Sequence, residues 1–204
     1  LMSLITSQIT TGIILESKFI VRIVFFLFTV IAIESSSIKR MGKSIGYGVG
    51  LSLLILAIIM IWSETRQLIF LYTGVATGYM IYIIVLVINQ IFTGNIITLN
   101  KIGGGVATYI LIGLLWATVY VAIYIIEPDA FRYGGEVIAN DTALKHLTYF
   151  SFVTLTTIGY GDITPVSSVA RVLVMLEGLM GQLFPAIFIA RLVSLQIEGS
   201  KSRA

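Results

Sequence analysis

The stretch that decides the fold is Thr154-Leu155-Thr156-Thr157-Ile158-Gly159-Tyr160-Gly161-Asp162, in which glycine alternates with larger residues. An ordinary strand points successive groups to opposite sides. Gly159 and Gly161 can adopt positive φ without steric cost, which allows consecutive carbonyls to face one side. The pattern predicts an inward row of carbonyl oxygens from Thr157, Ile158, Gly159 and Tyr160. The Thr157 hydroxyl is expected at the inner end of this row. The side chains of Ile158 and Tyr160 are expected to point outward, into the protein.

The composition places this chain in a lipid bilayer. Of its 204 residues, 57% are hydrophobic and 11% are charged, which is more apolar than an ordinary soluble domain. Cysteine is absent, and this excludes disulfides, thiolate metal sites and thiol catalysis. The net charge of +3 lies in short clusters between apolar runs. A nucleic acid is therefore not an expected partner, whereas membrane lipid is.

Several apolar stretches are long enough to cross a bilayer at about 1.5 Å per helical residue. The clear ones are residues 45–62, 68–92, 102–126 and 165–197. Two weaker candidates precede them, at residues 1–15 and 19–33. The sequence therefore predicts a multi-pass membrane protein.

The charged residues predict its orientation. Lys39, Arg40 and Lys43 share one short loop, which the excess of basic residues in cytoplasmic loops places inside the cell. Counting spans from this loop puts residues 127–142 outside and the C-terminus in the cytoplasm. A cytoplasmic N-terminus then requires residues 1–15 to belong to a further span, so six spans are favoured over five.

The segments around the glycine pattern predict helices on both sides. Residues 140–142, Asn-Asp-Thr, are good N-caps for a short helix at 143–156, whose carbonyl end would point its negative pole toward the carbonyl row. Thr164 can cap the next helix, and Pro165 can occupy its first turn. Non-helical backbone at membrane depth is tolerated where it lines a water-filled path. Rings of backbone carbonyls in such a path replace the water of a permeating cation.

Residues 154–162 resemble the signature of the tetrameric potassium channel superfamily, and residues 103–124 look like the outer helix of its bacterial members. The resemblance implies passive K⁺ conduction, with K⁺ at Thr157 to Tyr160, no organic cofactor and no enzymatic activity. It also implies a homotetramer in the cell membrane, in which three identical subunits join this one, because each chain carries one filter loop.

The fold class implied is an all-α membrane protein with a pore-loop module. Its pore domain is expected at residues 93–204 and comprises an outer helix at 102–126, a pore helix at 143–156, a selectivity filter at 157–161 and an inner helix at 165–197. A voltage-sensor-like helical bundle is expected before it, at residues 1–92. This bundle lacks an arginine-rich sensor helix, which predicts weak or no voltage dependence.

Five residues are expected to support the filter: Tyr149, Val153, Thr154, Thr156 and Asp162. In the best-known small bacterial potassium channel, a glutamate at the position of Val153 bonds the aspartate after the filter. Since valine cannot do so, we expect the Tyr149 hydroxyl to bond Asp162. The alternative is that Tyr149 and Phe150 only pack behind the filter.

Three features of the inner helix are candidates for function. Gly181 and Pro185 predict a gating hinge, with close helix packing on small residues as the alternative. Glu177 is an acid within a membrane helix, and such residues are functional candidates by default. It is expected to face backward and bond Ser151 or Thr154, in protonated form, in preference to facing the pore.

Other polar residues have weaker assignments: Gln182 can line a cavity, and Arg191 can anchor the helix at the interface. His146 could sense external pH, but the favoured alternative is a histidine that is only hydrogen-bonded at an interface. Rival classes are a non-selective or sodium-conducting relative, a transporter subunit with several degenerate filter loops, and a membrane enzyme. The intact Gly159-Tyr160-Gly161 disfavours a non-selective or sodium-conducting relative, and its single occurrence disfavours a transporter subunit. A membrane enzyme is disfavoured because the sequence offers no catalytic set of residues.

Overall fold

The computed structural model describes five parts of the chain, residues 47–53, 55–56, 58–59, 65–92 and 99–201. The chain divides into two compact units, Leu1–Tyr72 and Thr73–Ala204. In the first unit, the described residues between 47 and 59 are helical, within the predicted span 45–62. The spans predicted at residues 1–15 and 19–33 lie outside the described residues.

The rest of the described chain is mostly helical. The helices are α1 (Arg66–Phe92), α2 (Leu99–Ile126), α3 (Ala143–Leu155) and α4 (Ser168–Lys201). Helices that are apolar all round are typical of membrane spans. Among the described residues, three segments are long and apolar enough to cross a membrane: Gln67–Asn89, Lys101–Ile126 and Ser168–Ile197. The prediction of a multi-pass membrane protein is confirmed at this level.

Helix α3 is different, because it is short and has a buried stripe. Ala143, Leu147, Phe150, Ser151 and Leu155 are all buried, and their spacing of three or four residues places them on one helical face. With 13 residues, α3 is too short to span a bilayer. It therefore enters the fold as a packed element between longer helices.

A small antiparallel sheet departs from the all-α expectation. The strands β1 (Phe131–Tyr133), β2 (Glu136–Val137) and β3 (Ile163–Pro165) pair in the order β2-β1-β3. Gly134 and Gly135, with φ of 57° and 89°, form the two-residue turn between β1 and β2. The sheet joins the segment before α3 to the segment after the predicted filter.

Two predicted caps are wrong. Pro165 lies in β3 instead of the first helical turn, because residues 163–165 pair with β1 before the helix begins. The inner helix therefore starts at Ser168 instead of residue 165, and the Ser167 hydroxyl accepts from the Ala170 amide at 3.2 Å. Thr142 precedes α3 without a side-chain cap, because its hydroxyl donates to the Ala139 carbonyl instead.

An aromatic cluster holds α2, the sheet and α3 together. The fully buried Tyr120 ring of α2 lies 5.3 Å from Phe131 of β1 and 5.5 Å from Phe150 of α3. Phe131 and Phe150 are 5.6 Å apart, edge to face. Such pairs contribute about 0.5–1.5 kcal/mol each beyond the burial of their area. The cluster therefore holds α3, and with it the start of the following loop, against α2 and β1.

Candidate functional site

The loop after α3 has an alternating backbone. Thr157, Gly159 and Gly161 have φ of 59°, 59° and 76°, all in the left-handed region. Gly159 and Gly161 thus adopt the conformation that the glycine pattern predicts. Thr157 does so as well, which sequence reasoning missed, because a β-branched residue is a rare outlier there. The signal that could have indicated it is the spacing, because Thr157 lies two residues before Gly159, just as Gly159 lies two residues before Gly161.

The amides of this loop turn back onto the end of α3. The Val153 carbonyl accepts from the amides of Ile158 at 3.0 Å and Gly159 at 3.3 Å, and the Thr154 carbonyl accepts from the Thr157 amide at 2.9 Å. Val153 is buried, and it supports the loop through its backbone carbonyl. The resemblance to potassium channels concerned only the side chain at this position. The loop is therefore held by its N–H groups.

The carbonyl oxygens of the same loop are left available. Within the described residues, no hydrogen bond ends on the carbonyls of Thr157, Ile158, Gly159 or Tyr160. Free carbonyls at alternating left-handed residues are ligands for a hard cation, since each carries two lone pairs. The side chain of Thr156 is engaged elsewhere, because its hydroxyl donates to the Phe152 carbonyl at 2.6 Å.

The expectation that Ile158 and Tyr160 point into the protein does not hold within one chain. Their exposed fractions are 54% and 68%. Tyr160 makes a parallel ring contact with Tyr149 at 6.5 Å, and the rest of its surface is uncovered. Large side chains beside an exposed loop are suited to contact a neighbouring subunit.

Asp162 lies at the outer end of the loop, beside Tyr149 and the sheet. Its carbonyl accepts from the Gly134 amide at 2.9 Å, and its carboxylate accepts from the Ile163 amide at 3.0 Å. Desolvation and the neighbouring Asp162 carboxylate raise the pKa of the Tyr149 hydroxyl above its ordinary value of 10.0. Asp162 thus acts on the Tyr149 hydroxyl, and the hydrogen bond between the two side chains stays a prediction.

Replacing Tyr149 with phenylalanine removes the hydroxyl that the predicted bond to Asp162 needs while keeping the ring. If residues 157–161 form a K⁺ filter, as the resemblance to potassium channels implies, we expect Tyr149→Phe to shorten the conducting state and to lower the ratio of K⁺ to Na⁺ permeability, measured as single-channel open time and reversal potential. Because the pKa is raised, mainly by desolvation, the neutral hydroxyl is the favoured form, and the stability linked to it is present below about pH 10 and is lost as the pH rises through the higher folded-state pKa. Unchanged open times and selectivity in the variant would show that Tyr149 only packs.

The end of α3 touches α4 at Gly181. A Cβ built there would collide with the Leu155 carbonyl oxygen and lie 2.8 Å from its carbonyl carbon. The same carbonyl accepts from the Tyr109 hydroxyl of α2 at 3.0 Å. Gly181 therefore provides the close approach of α4 to the base of the loop, and Pro185 lies within the same helix. This geometry accounts for Gly181 by packing and leaves the hinge a prediction.

Glu177 faces backward, away from the loop's open side. It is fully buried and accepts a hydrogen bond from Tyr120 of α2, while Ser151 of α3 lies 2.5 Å from its other oxygen. Ser151 was one of its two predicted partners. No hydrogen bond joins Thr154, the other, to Glu177 in the described part of the chain.

The exposed face of α4 forms an open concavity of about 350 Å³ below the loop, lined by Thr157, Met175, Gly178, Leu179 and Gln182. Gln182 thus lies where a cavity-lining residue is expected. Arg191 reaches the Phe92 carbonyl at the end of α1 at 3.4 Å, which suits a cation near a helix C-terminus. His146 contacts the ring of Tyr133 at 4.7 Å.

Comparisons with known proteins give a family match that covers this part of the chain. Residues 108–197 match a family described as ion channel, a range that is less than half of the chain and includes α3, the loop and most of α4. Protein LctB of Bacillus caldotenax is 30% identical over 87 residues, 42% of this chain and 64% of that protein. The chain thus spans less than two thirds of that relative. No solved structure matches the chain significantly.

The fold and the match together define a class. The protein is a mostly helical, multi-pass membrane protein, and its C-terminal half contains a segment that matches the ion channel family. Within that segment, the alternating loop after α3 is the candidate site.

Proposed function

We propose that this chain is one subunit of a homotetrameric, potassium-selective channel whose filter is the loop of residues 157–161. K⁺ is coordinated by the carbonyls of Thr157, Ile158, Gly159 and Tyr160, and the Thr157 hydroxyl completes the innermost ring. The observation that carries the proposal is the positive φ at every second residue from Thr157 to Gly161. The match to the ion channel family supports it.

The number of subunits follows from the number of loops. One loop offers carbonyls on one side only, so a closed ring of ligands needs several chains around one axis, four in potassium channels. The exposed Ile158 and Tyr160 then pack against adjacent subunits and hold the ring at its diameter. Chemical crosslinking of the detergent-solubilised protein is expected to end at a tetramer.

The remaining parts of the proposal concern the surrounding chain. The pore domain extends over residues 93–204, with Gly181 and Pro185 as the hinge of its inner helix. The segment at residues 1–92 is a voltage-sensor-like bundle without a row of arginines. Both termini face the cytoplasm, and residues 127–142 face outward. The match to an ion channel family favours conduction over catalysis.

The decisive experiment is the reversal potential of the purified protein in a planar bilayer, with K⁺ on one side and Na⁺ on the other. We expect a value near the K⁺ equilibrium potential, because the carbonyl rings replace the hydration shell of K⁺. A current that reverses near zero would keep the channel and reject the selectivity. Absence of any current from a verified tetramer would contradict the proposed function as a whole.

A further inference from the structure

Three helices meet on one buried carboxyl group. Glu177 of α4, Ser151 of α3 and Tyr120 of α2 are each fully buried. The Tyr120 hydroxyl donates to one oxygen of Glu177, and Ser151 Oγ lies 2.5 Å from the other. Ser151 Oγ also lies 2.7 Å from the carbonyl oxygen of Gly113 on α2. The cluster of Tyr120, Glu177, Ser151 and Gly113 is thus continuous from helix to helix.

The hydrogen atoms of this cluster can be counted. Ser151 has one hydroxyl proton but two oxygen neighbours at hydrogen-bond distance, Gly113 and Glu177. The Gly113 carbonyl can only accept, so the serine proton belongs there. The contact between Ser151 and Glu177 then needs a proton from the carboxyl group. The opposite assignment would leave two lone pairs facing each other at 2.7 Å.

The surroundings of the carboxyl group favour the same assignment. In the described part of the chain, the side-chain contacts of Glu177 are two hydroxyl groups, with no lysine or arginine among them. A buried carboxylate without a cationic partner is strongly unfavourable, and such groups become neutral instead. A protonated carboxyl has one donor and keeps an acceptor, which matches the two contacts observed.

We propose that Glu177 is a neutral carboxylic acid that donates its proton to Ser151, and that this chain of hydrogen bonds fixes α3 against α2 and α4. Glu177 is then a positioning residue. It acts on Ser151, and two residues further along α3 the Val153 carbonyl holds the amides of Ile158 and Gly159. The positioning role rests on the proposed function, whereas the protonation state does not.

The protonation state is tested by infrared spectroscopy of the purified chain in lipid at neutral pH. Exposed carboxyl groups are ionised there. The difference between wild type and Glu177→Gln is expected to contain the carbonyl stretch of a protonated acid. The matched difference for Glu136→Gln, at an exposed residue of β2, is expected to contain carboxylate bands and no band of a protonated acid. Carboxylate bands in the Glu177 difference would overturn the proposal, whatever the channel conducts.

The positioning role is tested by selectivity. Glu177→Gln keeps the shape, a donor and an acceptor, so its K⁺ to Na⁺ permeability ratio is expected to equal that of wild type. Glu177→Leu leaves the Tyr120 and Ser151 hydroxyls without their partner and is expected to lower the ratio about tenfold or more. A wild-type ratio in Glu177→Leu, or a lost ratio in Glu177→Gln, would overturn the role.

One further variant keeps this test decisive if the leucine protein does not assemble. Ser151→Ala removes only a hydroxyl, and it is expected to lower the permeability ratio in a tetramer that still forms. An unchanged ratio in Ser151→Ala would overturn the positioning role. If wild type itself is not selective, the proposed function fails instead, and the infrared result still decides the state of Glu177.

Discussion

Replacing Gly159 with alanine is expected to abolish K⁺ conduction. At φ of 59°, no atom lies within 4 Å of an added Cβ, so the effect is one of backbone conformation. The left-handed region costs an alanine roughly 1–2 kcal/mol, and four proposed subunits would raise this to about 4–8 kcal/mol per filter. Relief of that strain would rotate the carbonyls of the loop away from the proposed channel axis. The measurement is K⁺ efflux from liposomes containing the purified protein.

Gly135→Ala is the matched control. Gly135 also has positive φ, 89°, and open space around it, but it lies in the turn between β1 and β2. This variant therefore carries a comparable backbone strain outside the loop. We expect it to lose some thermal stability and to conduct with wild-type selectivity. Equal behaviour of the two variants would mean that strain in general, and not the carbonyl row, decides conduction.

Replacing Gly181 with alanine is expected to give the largest loss of stability. The added methyl group meets the backbone of Leu155, which cannot move aside as a flexible side chain does. Overpacking of this kind costs about 1–3 kcal/mol per site, and the proposed tetramer repeats it four times. We expect a lower melting temperature of the tetramer and a lower permeability ratio, because α4 is pushed from the base of the loop.

Gly178→Ala is the control for this second variant. It lies in the same helix, and nothing stands within 4 Å of its added Cβ. Alanine is about 1 kcal/mol more favourable than glycine in a helix interior, so Gly178→Ala is expected to be neutral or stabilising. If Gly178→Ala and Gly181→Ala melt alike, the contact with Leu155 is not what requires the glycine.

The proposed hinge makes a different prediction from packing. Pro185→Ala restores a helical hydrogen bond without touching Leu155. If α4 bends at Gly181 to Pro185, this variant is expected to lower the open probability while its melting temperature stays the same or rises. An unchanged open probability in Pro185→Ala would leave packing as the sole role of Gly181.

The sequence predicted the loop well because its signal is local. The positive φ of Gly159 and Gly161 follows from the residue type alone, and the length of each membrane-spanning helix follows from the length of its apolar run. The left-handed φ of Thr157 was missed because threonine carries no such preference. Pro165 was misplaced because its pairing partner, Phe131, lies in a strand too short for a sequence pattern to reveal.

The surroundings of Glu177 could be predicted only in part. A carboxyl in an apolar run needs a donor nearby, and this pointed to Ser151. The contributions of Tyr120 and Gly113 depend on how α2 crosses α3 and α4. The packing of three helices is a tertiary property, and helix periodicity alone gives no crossing position. The close contact between Gly181 and Leu155 could not be predicted from the sequence for the same reason.

The sheet gives the proposed filter loop a fixed length. One end is tied where the Val153 carbonyl holds two amides, and the other where the Asp162 carbonyl accepts from Gly134. Backbone hydrogen bonds at both ends tolerate exchanges of side chains between them, except at Gly159 and Gly161, where φ is positive, but they cannot absorb an inserted or deleted residue. The number of carbonyl groups between Val153 and Asp162 is therefore set by the hydrogen bonds at these two residues. A related chain that kept both hydrogen bonds could change the loop by substitution of single residues, but it could not change the loop's length.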